Sequence, residues 1–177
     1  RPALHPSTLV PEPAAGREPG ENLADRGSDL VEKAREPLME AAQQVKQDFK
    51  DIQVLRNNIA RHLKAGGRLD YEFIAAEARE VNKRAARLKA HLMPPAPEAA
   101  SAERPKSPPE YDGEQLRDVL AILCRRIDSF TESPMFKVLG VVDVGQSTKA
   151  GGDLQTIIQL SDRIKEGAER LNKAPRK

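Results

Sequence analysis

The sequence is short of the side chains from which catalytic and cofactor sites are usually built: no Trp, two Tyr, four Phe, three His and one Cys in 177 residues. With so few aromatics the core has to be aliphatic and alanine-rich, which suits helix packed on helix. The lone Cys124 excludes an intramolecular disulfide and any cysteine-based metal cluster. Long apolar runs are missing too, and a run such as Val138 to Val142 is far below the roughly 20 residues of a membrane-spanning helix. Nor is there an excess of one charge. Lys and Arg number 29 against 27 Asp and Glu, so no strong field points towards nucleic acid or an anionic membrane. The chain opens on Arg1 without a charged-then-apolar leader and is expected to be a processed, exported protein, periplasmic or secreted in preference to cytoplasmic, or else a fragment.

What is present is proline in two places and apolar periodicity between them. Most of the 14 prolines fall in the first 20 residues and between Pro94 and Pro109, where a packed helix cannot continue. Residues 1–27 read as a disordered arm, 28–93 as a helical hairpin, 94–111 as a Pro-rich linker, and 112–177 as a second helix pair with an apolar connector at 133–152.

The first stripe is Leu38, Ala42, Val45, Phe49, Ile52, Arg56, Ile59 and Leu63, in spacings of four and three with one charged interruption. Pro37 is expected in its first turn, with any helix over 28–36 kinked or separate. Ala65-Gly66-Gly67 offers a left-handed helix end, Asp70 an N-cap, and Leu69 with Ile74 a hydrophobic staple. A second stripe follows at Ile74, Ala78, Val81, Ala85, Leu88 and Leu92, and so short a turn between long helices forces an antiparallel hairpin. Helix three is announced by a capping box at Asp112 and Gln115, with Leu116, Val119, Leu120, Leu123, Ile127 and Phe130 as its apolar face. Helix four is expected after Asp153 as cap, with Leu154, Ile157, Ser161, Ile164, Ala168 and Leu171. The fold class is therefore all-α, the two pairs joined as one four-helix bundle; the linker reaches either end of the hairpin and leaves the topology open.

Each chemical signal fails at a required residue. His62 and His91 lie about 27 Å apart on the hairpin and cannot share a metal, and no Glu-x-x-His pair or Cys-x-x-Cys-His motif exists. Met39, Met93 and Met135 read as gap-fillers before haem ligands. The run Gly140 to Ser147 resembles a phosphate-binding loop in its GxxxxG spacing, but Gln146 stands where the lysine is needed. Cys124 has only Arg125 and Arg126 beside it in sequence and reads as a buried structural thiol. Lys83, Arg84, Arg87 and Lys89 make helix two basic, but Glu80 is placed to pair with Arg84 and no aromatics interleave for base stacking, so nucleic-acid binding is disfavoured. Carboxylate pairs such as Glu114 with Asp118, or Asp162 with Glu166, are ordinary on exposed helices.

The resulting expectation is a non-enzymatic, coiled-coil-like interaction or structural subunit without cofactor or metal, with a protein partner or a second copy as its target. Its competitors are a haem- or metal-carrying bundle using His62 or His91, and a weak nucleic-acid binder. The docking candidates are the large apolar residues Met135, Phe136, Val138, Leu139, Val141, Val142 and Val144, because loops are usually polar and these need cover. Brief proteolysis is expected to nick 1–27 and 94–109 first; protection of both in the isolated protein would contradict their assignment as unstructured.

Overall fold

A computed structural model of the protein describes residues 23–93, 110–136 and 144–174. The rest of the expected arm and the linker, and residues 137–143 of the connector, lie outside the described residues. Four helices account for nearly all of the described chain: α1 (Leu23–Lys64), α2 (Tyr71–Leu92), α3 (Gly113–Thr131) and α4 (Val144–Lys173), with a 3-10 turn at Pro134–Phe136. None is long and apolar enough to cross a membrane. The chain divides into two units, 1–38 and 39–177; in the first, the described residues belong to α1, and in the second the helices form a four-helix bundle.

Local signals set the helix ends. Gly66 takes φ 70°, where a Cβ is disfavoured, and closes α1. The Asp70 carboxylate accepts the Phe73 N–H at 3.1 Å, while Leu69 and Ile74 are both buried. At α3 the capping box is complete: Asp112 accepts from Glu114 and Gln115 at 2.9 and 2.8 Å, and its own N–H donates to the Gln115 side chain at 3.1 Å.

Two helices begin earlier than their sequence signals suggest. Pro37 lies inside the 42-residue α1 instead of in its first turn. Proline removes one N–H that would reach back to the Lys33 carbonyl, but residues 31–40 are all exposed, so water can satisfy that carbonyl. Asp153 is no cap, because α4 starts nine residues ahead of it, at Val144. Its buried carboxylate instead accepts from the Ser129 hydroxyl at 2.8 Å and pairs with Arg126 at 3.5 Å. A carboxylate on the third turn thus serves the α3–α4 seam, and sequence alone does not distinguish that use from capping.

Polar contacts give the arrangement. Asp48–Arg87, Asp51–Arg84, Asn58–Glu77 and His62–Phe73 join α1 to α2, every step forward along one helix matched by an equal step back along the other. The hairpin is therefore antiparallel in a single register. Helix α3 runs back along α1: Phe49 meets Phe130 at 5.9 Å, Arg56 meets Asp128 at 2.6 Å, and Arg117 donates to the Gly67 carbonyl. Helix α4 packs on both α2 and α3. Asn82 donates to the Ile158 carbonyl at 2.9 Å and to Ser161 at 3.2 Å, and Lys89 reaches Gln155, so α4 is antiparallel to α2. Hence α1 faces α4 across the bundle, and α2 faces α3. Met93, at the end of α2, and Glu110, ahead of α3, therefore lie at opposite ends of the bundle.

The core is aliphatic as the composition requires. Ile52, Ile59, Ile74, Leu88, Leu120, Leu123, Ile157 and Ile164 are fully buried, with Phe130 the one large aromatic among them. Phe49, Phe130 and Phe136 form a tilted cluster with centroids 4.9–5.9 Å apart. The stripes of α2, α3 and α4 sit where the periodicity puts them. In α1 the expected stripe is only partly core: Leu38 and Ala42 are exposed, Val45 and Phe49 are half-buried, and full burial begins at Ile52. Ala85 is fully buried on α2. Ala85→Leu is expected to cost roughly 1–3 kcal/mol by overpacking, read as a lower melting temperature; an unchanged melt would show that the seam has room.

Candidate functional site

The residues singled out for chemistry are mostly spent on architecture. His62 Nε2 accepts the Asp70 N–H at 3.1 Å and its ring leans on Phe73 at 5.0 Å, tying the hairpin turn to α1. His91 is exposed at the far end of α2, so the two imidazoles do not converge. Met93 packs on α4 against Gly151, where a Cβ would fall 2.1 Å from its sulfur, and Met39 is 60% exposed instead of filling a core gap. Among the described residues no group of three or more His, Cys, Asp or Glu is placed to hold a metal ion.

The basic residues of α2 have partners inside the molecule. Arg87 reaches the fully buried Asp48 at 2.5 Å, Arg84 lies 3.6 Å from Asp51 and also contacts Glu80, and Lys89 contacts Gln155. Asp48 also accepts from Gln44 at 3.2 Å. Of the four, Lys83 is the exposed one. Gly145, the second glycine of the GxxxxG run, falls in the first turn of α4.

The described residues line open clefts, of which two can be specified. One, of about 390 Å³, is lined by Arg68, Asp70, Tyr71, Glu72 and Asn172, and another, of about 330 Å³, by Arg56, Asn57, Ala60, Arg61 and Lys64. Their key groups are already engaged, Asp70 as a cap and Arg56 with Asp128. Neither brings a nucleophile and a base together.

Of the apolar docking candidates, Phe136 is half-buried against Phe49 and Phe130, so its ring contributes to the end of the core. Met135 belongs to the 3-10 turn and Val144 opens α4, although their side chains are not described, and Val138, Leu139, Val141 and Val142 lie outside the described residues. A second apolar surface lies outside the connector. Val31 is 65% and Leu38 70% exposed on α1. Val31, Leu38, Val45, Ile52 and Ile59 recur every seven residues, the spacing that keeps one stripe facing a neighbouring helix. The repeat is legible in the sequence, but a helix begun at Pro37 includes Leu38 and leaves out Val31. No family model, curated protein or solved structure matches the chain.

Cys124 is the remaining reactive group. It is 7% exposed, and its thiol points to the Arg56 carbonyl at 3.9 Å. Burial pushes its pKa up from 9.0 to about 11, against a smaller opposing pull from Arg56. Because the folded state favours the thiol, its contribution is fully present below pH 9.0 and is lost as pH rises towards 11. Stability is expected to fall by roughly 2–3 kcal/mol across that window, at 1.36 kcal/mol per pH unit. Denaturant melts at stepped pH check this; the excess slope should vanish in Cys124→Ala, and an equal slope in both proteins would assign it to other groups.

Proposed function

We propose that this chain is a non-enzymatic helical interaction subunit that binds an amphipathic helix of a partner protein. One observation carries the reading: residues 31–40 of α1 are all exposed, yet Val31 and Leu38 continue the seven-residue repeat whose later members, Ile52 and Ile59, are fully buried against other helices. A lone apolar side chain on a surface is unremarkable, but a stripe in helical phase is what a second helix covers. Burying a Val or Leu is worth about 1.5–3 kcal/mol, so a helix laid along this stripe gains from each turn. The chemistry of the partner follows from the spacing, an aliphatic seam at heptad intervals to mesh with Val31 and Leu38.

The engagement of His62, Arg84 and Arg87 within the bundle supports the same reading, because these are among the residues on which a metal, haem or phosphate-backbone site would have been built.

The test is a two-site variant, Val31→Asp with Leu38→Asp, compared with the parent after purification from the native source. Both positions are exposed, so the isolated variant should melt within about 0.5 kcal/mol of the parent. A stoichiometric complex seen by light scattering with the parent should be lost in the variant. Retention of the complex in the variant refutes this surface, and its loss in Val141→Asp alone moves the docking site to the connector.

A further inference from the structure

Each of the four helix seams carries its own buried or half-buried polar link. Asp48 meets Arg87 between α1 and α2, Asn82 meets Ser161 between α2 and α4, Asp153 meets Ser129 between α4 and α3, and Arg56 meets Asp128 between α3 and α1. Asp48 and Ser161 are fully buried and Asp153 nearly so. Their neighbours in the core are Leu, Ile, Val and Ala of similar shape, repeated from layer to layer.

Two of these seams lie within a hairpin: six residues, 65–70, join α1 to α2, and twelve, 132–143, join α3 to α4, of which Pro134–Phe136 form a 3-10 turn at the end of α3; both are shorter than the segment between the hairpins. The other two are different. Sixteen residues separate Met93 from Glu110, enough at about 3.3 Å each to span either diagonal and either end of a 22-residue helix. An aliphatic face meshes tolerably with another aliphatic face in several orientations, because burial is non-directional.

We infer that Arg56–Asp128 and Asn82–Ser161 together form an orientation lock, selecting the one way in which the second hairpin docks on the first. With the second hairpin flipped so that α4 lay beside α1, the Arg56 guanidinium would lose its carboxylate and the buried Ser161 hydroxyl its amide partner. Arg56 has little tolerance for that: its Nε already lacks a hydrogen-bond partner, and the bond to Asp128 is the main influence raising its pKa. Arg79–Glu169 also crosses between the hairpins, but Arg79 is 63% exposed, and rim pairs of this kind discriminate weakly. A polar pair that fixes register within an apolar seam is the best-attested use of such contacts in helical assemblies.

The test removes both links and asks about arrangement. In the full chain carrying Cys124→Ala, nitroxides are attached through Asn57→Cys on α1 and Arg125→Cys on α3, both exposed positions, and their separation is read by pulsed electron paramagnetic resonance. The parent should give one distance. A variant with Arg56→Met, Asp128→Leu, Asn82→Ala and Ser161→Ala should keep its helical content and give two distance populations. Reversing the charge pair, Arg56→Asp with Asp128→Arg, while Asn82→Ala and Ser161→Ala are retained, should bring back one population. A single unchanged distance in the apolar variant, its unfolding, or failure of the reversed pair to restore one population would each overturn the lock.

Discussion

The structure depends first on a charge ladder between α1 and α2. Asp48 is buried completely, and an unpaired carboxylate there would cost several kcal/mol in lost hydration. It tolerates the site because Arg87 lies 2.5 Å away, with Asp51 and Arg84 repeating the pairing one turn along. Slipping the hairpin by a turn in either direction would leave only one of the two carboxylates facing an arginine and would move Asn58 away from Glu77. The aliphatic stripes supply most of the driving force, but they are periodic, so they reward several registers; only the observed register pairs both carboxylates.

With that register set, the rest of the bundle has a fixed template. The α1–α2 groove presents Ile52, Ile59, Ile74, Val81 and Leu88 as one apolar surface, on which α3 and α4 lie. The glycines of α4 admit close approach at two points, Gly151 against Met93 and Gly167 against Tyr111, where a Cβ would fall 2.1 and 2.7 Å from the neighbouring atom. Both ends of α4 are thus fitted to bulky residues at the ends of other helices. The three phenylalanines collect at one end of the core, with Phe136 held by the 3-10 turn after α3.

The polar residues that drew attention as possible chemistry prove to be the parts that individualise an otherwise repetitive core. His62, Arg84 and Arg87 are the clearest examples. Histidine at a hairpin turn or arginine on a helix face looks the same in sequence whether it meets a ligand or a carboxylate of the same chain. The difference lies in what the fold places opposite. For the proposed docking surface the situation is reversed: the heptad spacing through Val31 and Leu38 is fully present in the sequence, and a helix begun at Pro37 leaves out Val31 alone.

By itself the sequence determined the helices, their faces and most of their ends. Apolar residues at spacings of three and four can be buried only on a helix, and caps such as Asp70, Asp112 and Gly66 act through neighbours within a few residues. It also determined the antiparallel hairpin, since six residues between long helices allow nothing else, and it put His62 opposite Phe73 by the rise of a helix alone. Tertiary structure decided what depends on distant partners: that Asp153 serves a seam, that Leu38 is exposed while Ile52 is buried, and that α3 lies beside α1 with α4 across the bundle. No local pattern encodes these outcomes, because a long linker leaves the docking of the second hairpin free, and the observed arrangement pairs Arg56 with Asp128 and Asn82 with Ser161, partners more than 70 residues apart in sequence.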